Sequence, residues 1–160
     1  YGTDPVPAGK PEPVEPDKSN VDTTKKLHCT ISIDCATILN NLSDLDPAKL
    51  DVLPTDGVVL GAVTVEFSEG ESVFDVLQRV CRENNIHLEA TFTPGYNSAY
   101  VEGIHNLYEF DCGELSGWMY SVNGWFPNYG CSRYAVQDGD VIRWRYTCDL
   151  GADVGGSMVA

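Results

Sequence analysis

Two periodicities run along this chain, an alternation of apolar and polar residues at several places and one apolar stripe at helical spacing. Cys29, Ile31, Ile33 and Cys35 fall on one face of a predicted strand, and Val63, Val65 and Phe67 share a face in a second over Ala62–Phe67. Between them, residues 36–61 are irregular, with a short helix predicted around Ala36–Leu42, then Pro47 and the turn Pro54-Thr-Asp-Gly57. Val73, Val76, Leu77, Val80 and Cys81 then recur at helical spacing. Ser72 stands at the N-cap with Asp75 three residues on, and Asn84-Asn85 closes the helix.

The second half predicts strands. Leu88, Ala90 and Phe92 share a face, Pro94-Gly95 turns the chain, and Tyr100–Ile104 forms another short strand. Gly117–Gly124 alternates and ends in Asn123-Gly124, a tight-hairpin signal. After the Asp138-Gly-Asp140 turn, Ile142, Trp144, Tyr146 and Cys148 face one way and Arg143 and Arg145 the other. One main helix among mixed strands predicts an α+β domain with the helix packed on one sheet face.

Ahead of His28, where the globular part is expected to begin, the chain changes character. Residues 1–26 hold five of the nine prolines and no apolar periodicity, which predicts an extended, solvated linker or stalk. The domain is placed at 27–155, with 156–160 as a disordered tail. Of the net charge of −14, the first 26 residues carry −1 and the remaining 134 carry −13. So acidic a domain argues against nucleic acid as a partner, and no apolar run is long enough to span a bilayer. A monomer is expected.

Six cysteines, at 29, 35, 81, 112, 131 and 148, include no C-x-x-C spacing, so metal and thioredoxin-type motifs lack their signature. An even count without metal spacing points to disulfides, and through them to an extracellular, secreted or cell-surface location. The alternative is six buried free thiols. Cys112 and Cys131 bracket an aromatic segment and make one expected pair. Cys35 with Cys81 and Cys29 with Cys148 complete a set chosen from 15 connectivities.

Gly117-Trp-Met-Tyr-Ser-Val-Asn-Gly124, Gly130 and Asp138-Gly-Asp-Val-Ile-Arg-Trp-Arg-Tyr146 together resemble the transcobalamin-like C-terminal domain family, as does Glu69-Gly-Glu-Ser-Val-Phe-Asp-Val-Leu77. The resemblance runs over roughly residues 28–150. It implies a β-grasp-like mixed sheet, stapled here by disulfides, and a soluble-ligand-binding module of the kind found in vitamin carriers and bacterial surface proteins. A corrinoid is the ligand it suggests, with no resident cofactor. This chain departs from the carriers in its cysteine set and in the insertion at 36–61, and the carriers' helical-barrel domain has no counterpart in it.

Trp118, Tyr120, Asn123, Trp125, Phe126 and Tyr129 are the candidate ligand-binding residues. Flat apolar faces beside amide groups suit a large planar ligand, a sugar face or a partner's hot spot. Trp118 and Tyr120 also read as strand residues of a core. No nucleophile elbow, zinc-protease motif, phosphate loop or dinucleotide fingerprint is present, so no catalytic residue and no metal ligand is assigned. The expectation is a non-catalytic extracellular module for a small planar ligand. The alternative is a surface adhesion domain that binds protein or glycan.

Overall fold

The computed structural model describes residues 6, 9–14, 22–93 and 98–155. Two sheets and one α-helix carry the architecture. β1 (Asp22–Asp34), β2 (Val58–Glu69), β6 (Gly117–Val122) and β7 (Val141–Thr147) form a mixed sheet in the order β2-β1-β7-β6. Its central pair, β1 and β7, is parallel, and the outer pairs are antiparallel. β3 (Leu88–Thr93), β4 (Ser98–Ile104) and β5 (Leu107–Tyr108) form a second, antiparallel sheet.

The side-chain period of two sets the sheet's inner face. Cys29, Ile31, Ile33 and Cys35 are all buried, as the alternation predicts. Cross-strand register brings Ile31 beside Ile142, and Ile33 beside Trp144. On the other side of β7, Trp118 stands opposite Tyr146, Tyr120 opposite Trp144, and Val122 opposite Ile142. The predicted face of β2 is buried only at Phe67; Val63 remains 37% exposed because β2 is an edge strand.

Helix α1 (Val73–Glu83) lays Val73, Val76, Leu77, Val80 and Cys81 into the same core. Its start is a complete capping box: Ser72 Oγ accepts from the Asp75 N–H and the Asp75 carboxylate accepts from the Ser72 N–H. Asn84 and Asn85 end it, the latter in the left-handed region at φ 55°.

The structure departs from expectation at several places. β1 begins at Asp22, inside the segment read as linker, because residues ahead of His28 continue the pairing with β2. The insertion carries three 3-10 helices, the expected short helix at Ala36–Asn40 and two more at Leu42–Asp44 and Pro47–Val52. Asn123-Gly124 does turn tightly, with φ 54° and 84°, but the return is a single bridge from Val122 to Trp125. The chain then wanders to residue 140 before β7 pairs with β6. The Pro94-Gly95 turn and the tail at 156–160 lie outside the described residues.

The expected disulfide staples find no support in the structure. All six cysteines are free thiols, so Cys112–Cys131, Cys35–Cys81 and Cys29–Cys148 are not bridged. Cys112 Sγ points to the Asn41 carbonyl at 3.4 Å, whereas Cys131 Sγ points to the Ala99 carbonyl on β4 at 3.9 Å. The two ends of the aromatic segment therefore anchor to different elements. Burial pushes the thiol of Cys29 up to about 11 and those of Cys35, Cys81, Cys112 and Cys131 up to about 12.

Candidate functional site: an aromatic loop beside an open pocket

The aromatic segment forms a ladder that runs from the core to the surface. Trp118 is buried edge-on to Tyr146 and donates its indole N–H to the Leu107 carbonyl at 2.8 Å. Tyr120, also buried, leans on Trp144 with ring centroids 5.4 Å apart and donates its hydroxyl to the Tyr129 carbonyl at 2.7 Å. Both are therefore core residues whose polar tips find buried partners, as Trp and Tyr require. Tyr134 meets Tyr120 edge-on and stacks on Tyr129 at 6.0 Å, and Tyr129 in turn meets Trp125 at 6.1 Å. Trp125 and Phe126 are half-buried and mark the ladder's outer end.

Asn123 has a structural task. Its side chain donates to Asp140 at 2.9 Å and accepts from the Val141 N–H at 2.9 Å, which ties the turn to the start of β7. Of the six predicted residues, Trp118, Tyr120 and Tyr129 are thus buried, Asn123 braces a turn, and Trp125 and Phe126 are half-buried at the surface.

The loop after Tyr129 is threaded between β4 and the start of α1. At Gly130 a Cβ would lie 1.8 Å from Ser98 Oγ and 3.2 Å from Ser98 Cβ, so a larger residue would force the Ser98 side chain to shift. Ser132 Oγ accepts from the Ala99 N–H at 2.8 Å, the Tyr134 carbonyl accepts from the Val73 N–H at 3.0 Å, and Val136 donates to the Glu71 carbonyl. Beside this thread lies an open pocket of about 380 Å³. Gly70, Ser72, Phe74, Asp75 and Gln78 line one side, Phe92 another, and Ser132, Arg133 and Ala135 a third.

A segment of the N-terminal region crosses this face. Lys10 Nζ lies 5.6 Å from the centre of the Trp125 ring, the Pro11 carbonyl accepts from the Tyr129 hydroxyl at 2.7 Å, and Val14 donates to the Arg133 carbonyl at 2.7 Å. Val14 also lines the pocket. Residues 10–14 thus run as a strap from the aromatic loop to the pocket's rim. Burial, reinforced by Asp140, pushes the Tyr134 hydroxyl up to about 12, and burial likewise raises Tyr120 and Tyr129. At neutral pH all three keep their protons, and the hydroxyls of Tyr120 and Tyr129 donate to the Tyr129 and Pro11 carbonyls.

The pocket residues were not among those singled out by sequence. One signal for Phe74 exists: it is a large apolar residue next to the buried stripe of α1 but off it. Phe92 was assigned to a strand face, yet it is 52% exposed. Its neighbours come from elements far apart in the chain, and no local pattern joins them.

A family model described as a domain of unknown function (DUF4430) matches residues 70–148, just under half of the chain. No curated protein matches. Among solved structures, the chain is similar to haptocorrin in complex with Cbi, at 15% identity and a TM-score of 0.54, over 84% of this chain. It spans 28% of the haptocorrin chain, little more than a quarter of that protein's length. It also aligns with a candidate metal-binding protein from Ruminococcus gnavus ATCC 29149, at 16% identity and a TM-score of 0.44, over 76% of this chain and 96% of that one. At these identities the haptocorrin likeness shows a shared fold, with the matched family segment covering α1, the aromatic loop and β7.

Proposed function

We propose that this domain is a non-catalytic module that binds a small planar ligand on the face formed by Trp125, Phe126 and the pocket between Phe74 and Phe92. The observation that carries the reading is the open pocket lined by the loop that follows the aromatic ladder, on a fold shared with a ligand-bound haptocorrin. The strand order, with a parallel central pair, suits the β-grasp arrangement that the transcobalamin-like resemblance implies. A corrinoid is the ligand class that resemblance favours. A pocket of about 380 Å³ sits near the lower end of small-molecule sites, so a corrin ring would be gripped at one edge and lie otherwise open. An extracellular or cell-surface setting, monomeric and without a resident cofactor, completes the proposal.

Calorimetric titration with cobinamide and cobalamin tests it. The expected result is saturable heat, weakened about tenfold or more by Phe92→Ala and by Trp125→Ala, since each removes a large apolar contact. No heat at high-micromolar ligand would sink the corrinoid reading.

A second reading, adhesion to protein or glycan, has its own observation. Phe110 is 63% exposed and Leu115 42%, and the Leu115 carbonyl accepts from the N–H of exposed Leu150. These apolar groups gather at one loop cluster away from the pocket's lining. Protein- and glycan-array binding that is lost in Phe110→Asp and kept in Phe92→Ala would favour this reading over the first.

A further inference from the structure

The 3-10 helix Ala36–Asn40 and the residue after it hold two thiols from distant parts of the chain. Cys112 Sγ donates to the Asn41 carbonyl at 3.4 Å. Cys148 Sγ lies 3.6 Å from Thr37 Oγ1 as a hydrogen-bond donor. Thr37 and Asn41 are one turn apart and bonded to each other, Asn41 Nδ2 donating to the Thr37 carbonyl at 2.9 Å. Both cysteines are fixed from behind as well. The Cys112 N–H donates to Ser116 Oγ, which also accepts from the Tyr146 hydroxyl, two residues before Cys148. The Cys148 N–H donates to the Asp153 carboxylate at 2.8 Å. The two thiols thus donate to groups on the same turn, Cys112 to the Asn41 carbonyl and Cys148 to the Thr37 hydroxyl.

The geometry points to Cys112 and Cys148 as a redox pair that closes to a disulfide when the domain meets a thiol-oxidising disulfide. The pairing is new relative to the three expected from sequence, and it joins the loop after β5 to the end of β7. Cys148 alone among the six is not fully buried, so it is the sulfur an external disulfide reaches. Its thiolate, after losing its proton to solvent, attacks one sulfur of R–S–S–R, forms a mixed disulfide and expels RS⁻. The Cys112 thiolate then attacks the Cys148 sulfur and expels the second RS⁻. Both leaving thiolates take up protons, so two cysteine thiols are oxidised by two electrons and one external disulfide is reduced to two thiols.

Burial keeps both thiols protonated at neutral pH, so exchange is slow there and faster in alkali. Closure would covalently enclose β6, the aromatic loop and β7, and so stiffen the frame that carries the ladder. Cys35 is the competing partner, since it too lies near Cys148, but it is fully buried at the base of the 3-10 helix.

The test equilibrates the full chain, fully reduced, with oxidised glutathione and maps linkages after digestion that cleaves between Cys112 and Cys131. The expected result is loss of two hydrogens in intact mass and one dominant Cys112–Cys148 peptide. The melting midpoint should rise by on the order of 10 °C, a gain absent in Cys112→Ala and Cys148→Ala but kept in Cys131→Ala. A dominant Cys35–Cys148 or Cys112–Cys131 linkage would overturn the pairing. So would full alkylation of both thiols after equilibration. The wild-type map decides the matter even where a variant folds poorly.

Discussion

The Tyr129 hydroxyl donates to the Pro11 carbonyl at 2.7 Å, a bond between the aromatic loop and a residue more than a hundred positions earlier. Tyr129 is otherwise buried, so its one outward polar atom is spent on holding the strap. The strap lies where the proposed ligand would, across Trp125 and the pocket's rim.

Tyr129→Phe keeps the ring stack on Tyr134 and removes only this bond. The stability loss should be about 1 kcal/mol or less, because one hydrogen bond nets little. Hydrogen exchange at the Val14 N–H should quicken clearly, since its bond to Arg133 belongs to the same strap. Unchanged exchange at Val14 would show that Tyr129 does not hold the segment.

The capping box of α1 makes a second prediction. Ser72→Ala removes the acceptor for the Asp75 N–H and should cost about 1 kcal/mol in urea denaturation. Ser72→Gly should cost less than a simple loss of contact implies, since glycine is itself tolerated at this position.

Glu71 and Arg79 set a pH dependence. Burial alone would raise the Glu71 carboxyl. The two-pronged Arg79 guanidinium, at 2.6 and 3.1 Å, and the Ser68 N–H at 2.7 Å outweigh it, so the group sits below its ordinary 4.5. A carboxyl depressed by folding contributes its full stability above the unfolded value and loses it as pH falls through the folded one. Urea midpoints should therefore decline below about pH 4.5, and Glu71→Gln should make that decline shallower while lowering stability at neutral pH. Parallel acid limbs for the two proteins would contradict this.

Gly103 makes room for Tyr108. A Cβ there would meet the Tyr108 ring at 2.8 Å, and that ring donates its hydroxyl to Glu89 at 2.8 Å and lies beneath Lys49 Nζ. Gly103→Ala should cost about 1–3 kcal/mol through overpacking. In a Tyr108→Ala background the same change should cost almost nothing; a double-mutant cycle measures the difference.

The helix was legible because its evidence is local. Ser72, Asp75 and the stripe from Val73 to Cys81 lie within one short span, and both capping and burial follow from spacing along a single element. The strand faces of β1 and β7 were legible for the same reason, through a period of two. The aromatic segment was only half legible. Alternation placed Trp118, Tyr120 and Val122 on one face, but not the rings of Tyr134, Trp144 and Tyr146 that cover it. Those neighbours arrive through register with β7 and through a loop that returns from beyond Gly130.

The cysteines show the same division. Their number and their lack of metal spacing are properties of the chain, whereas which thiol meets which depends on where the insertion folds. The 3-10 helix at Ala36–Asn40 brings Cys112 and Cys148 together and leaves Cys131 against β4, and no spacing along the chain encodes that. Sequence alone determined an acidic α+β domain with one capped helix, an alternating inner face and an aromatic-rich loop, because these rest on contacts between near neighbours. Tertiary structure decided the pocket, the strap across Trp125 and the thiol pair, because each is built from segments that meet only once the sheet has closed.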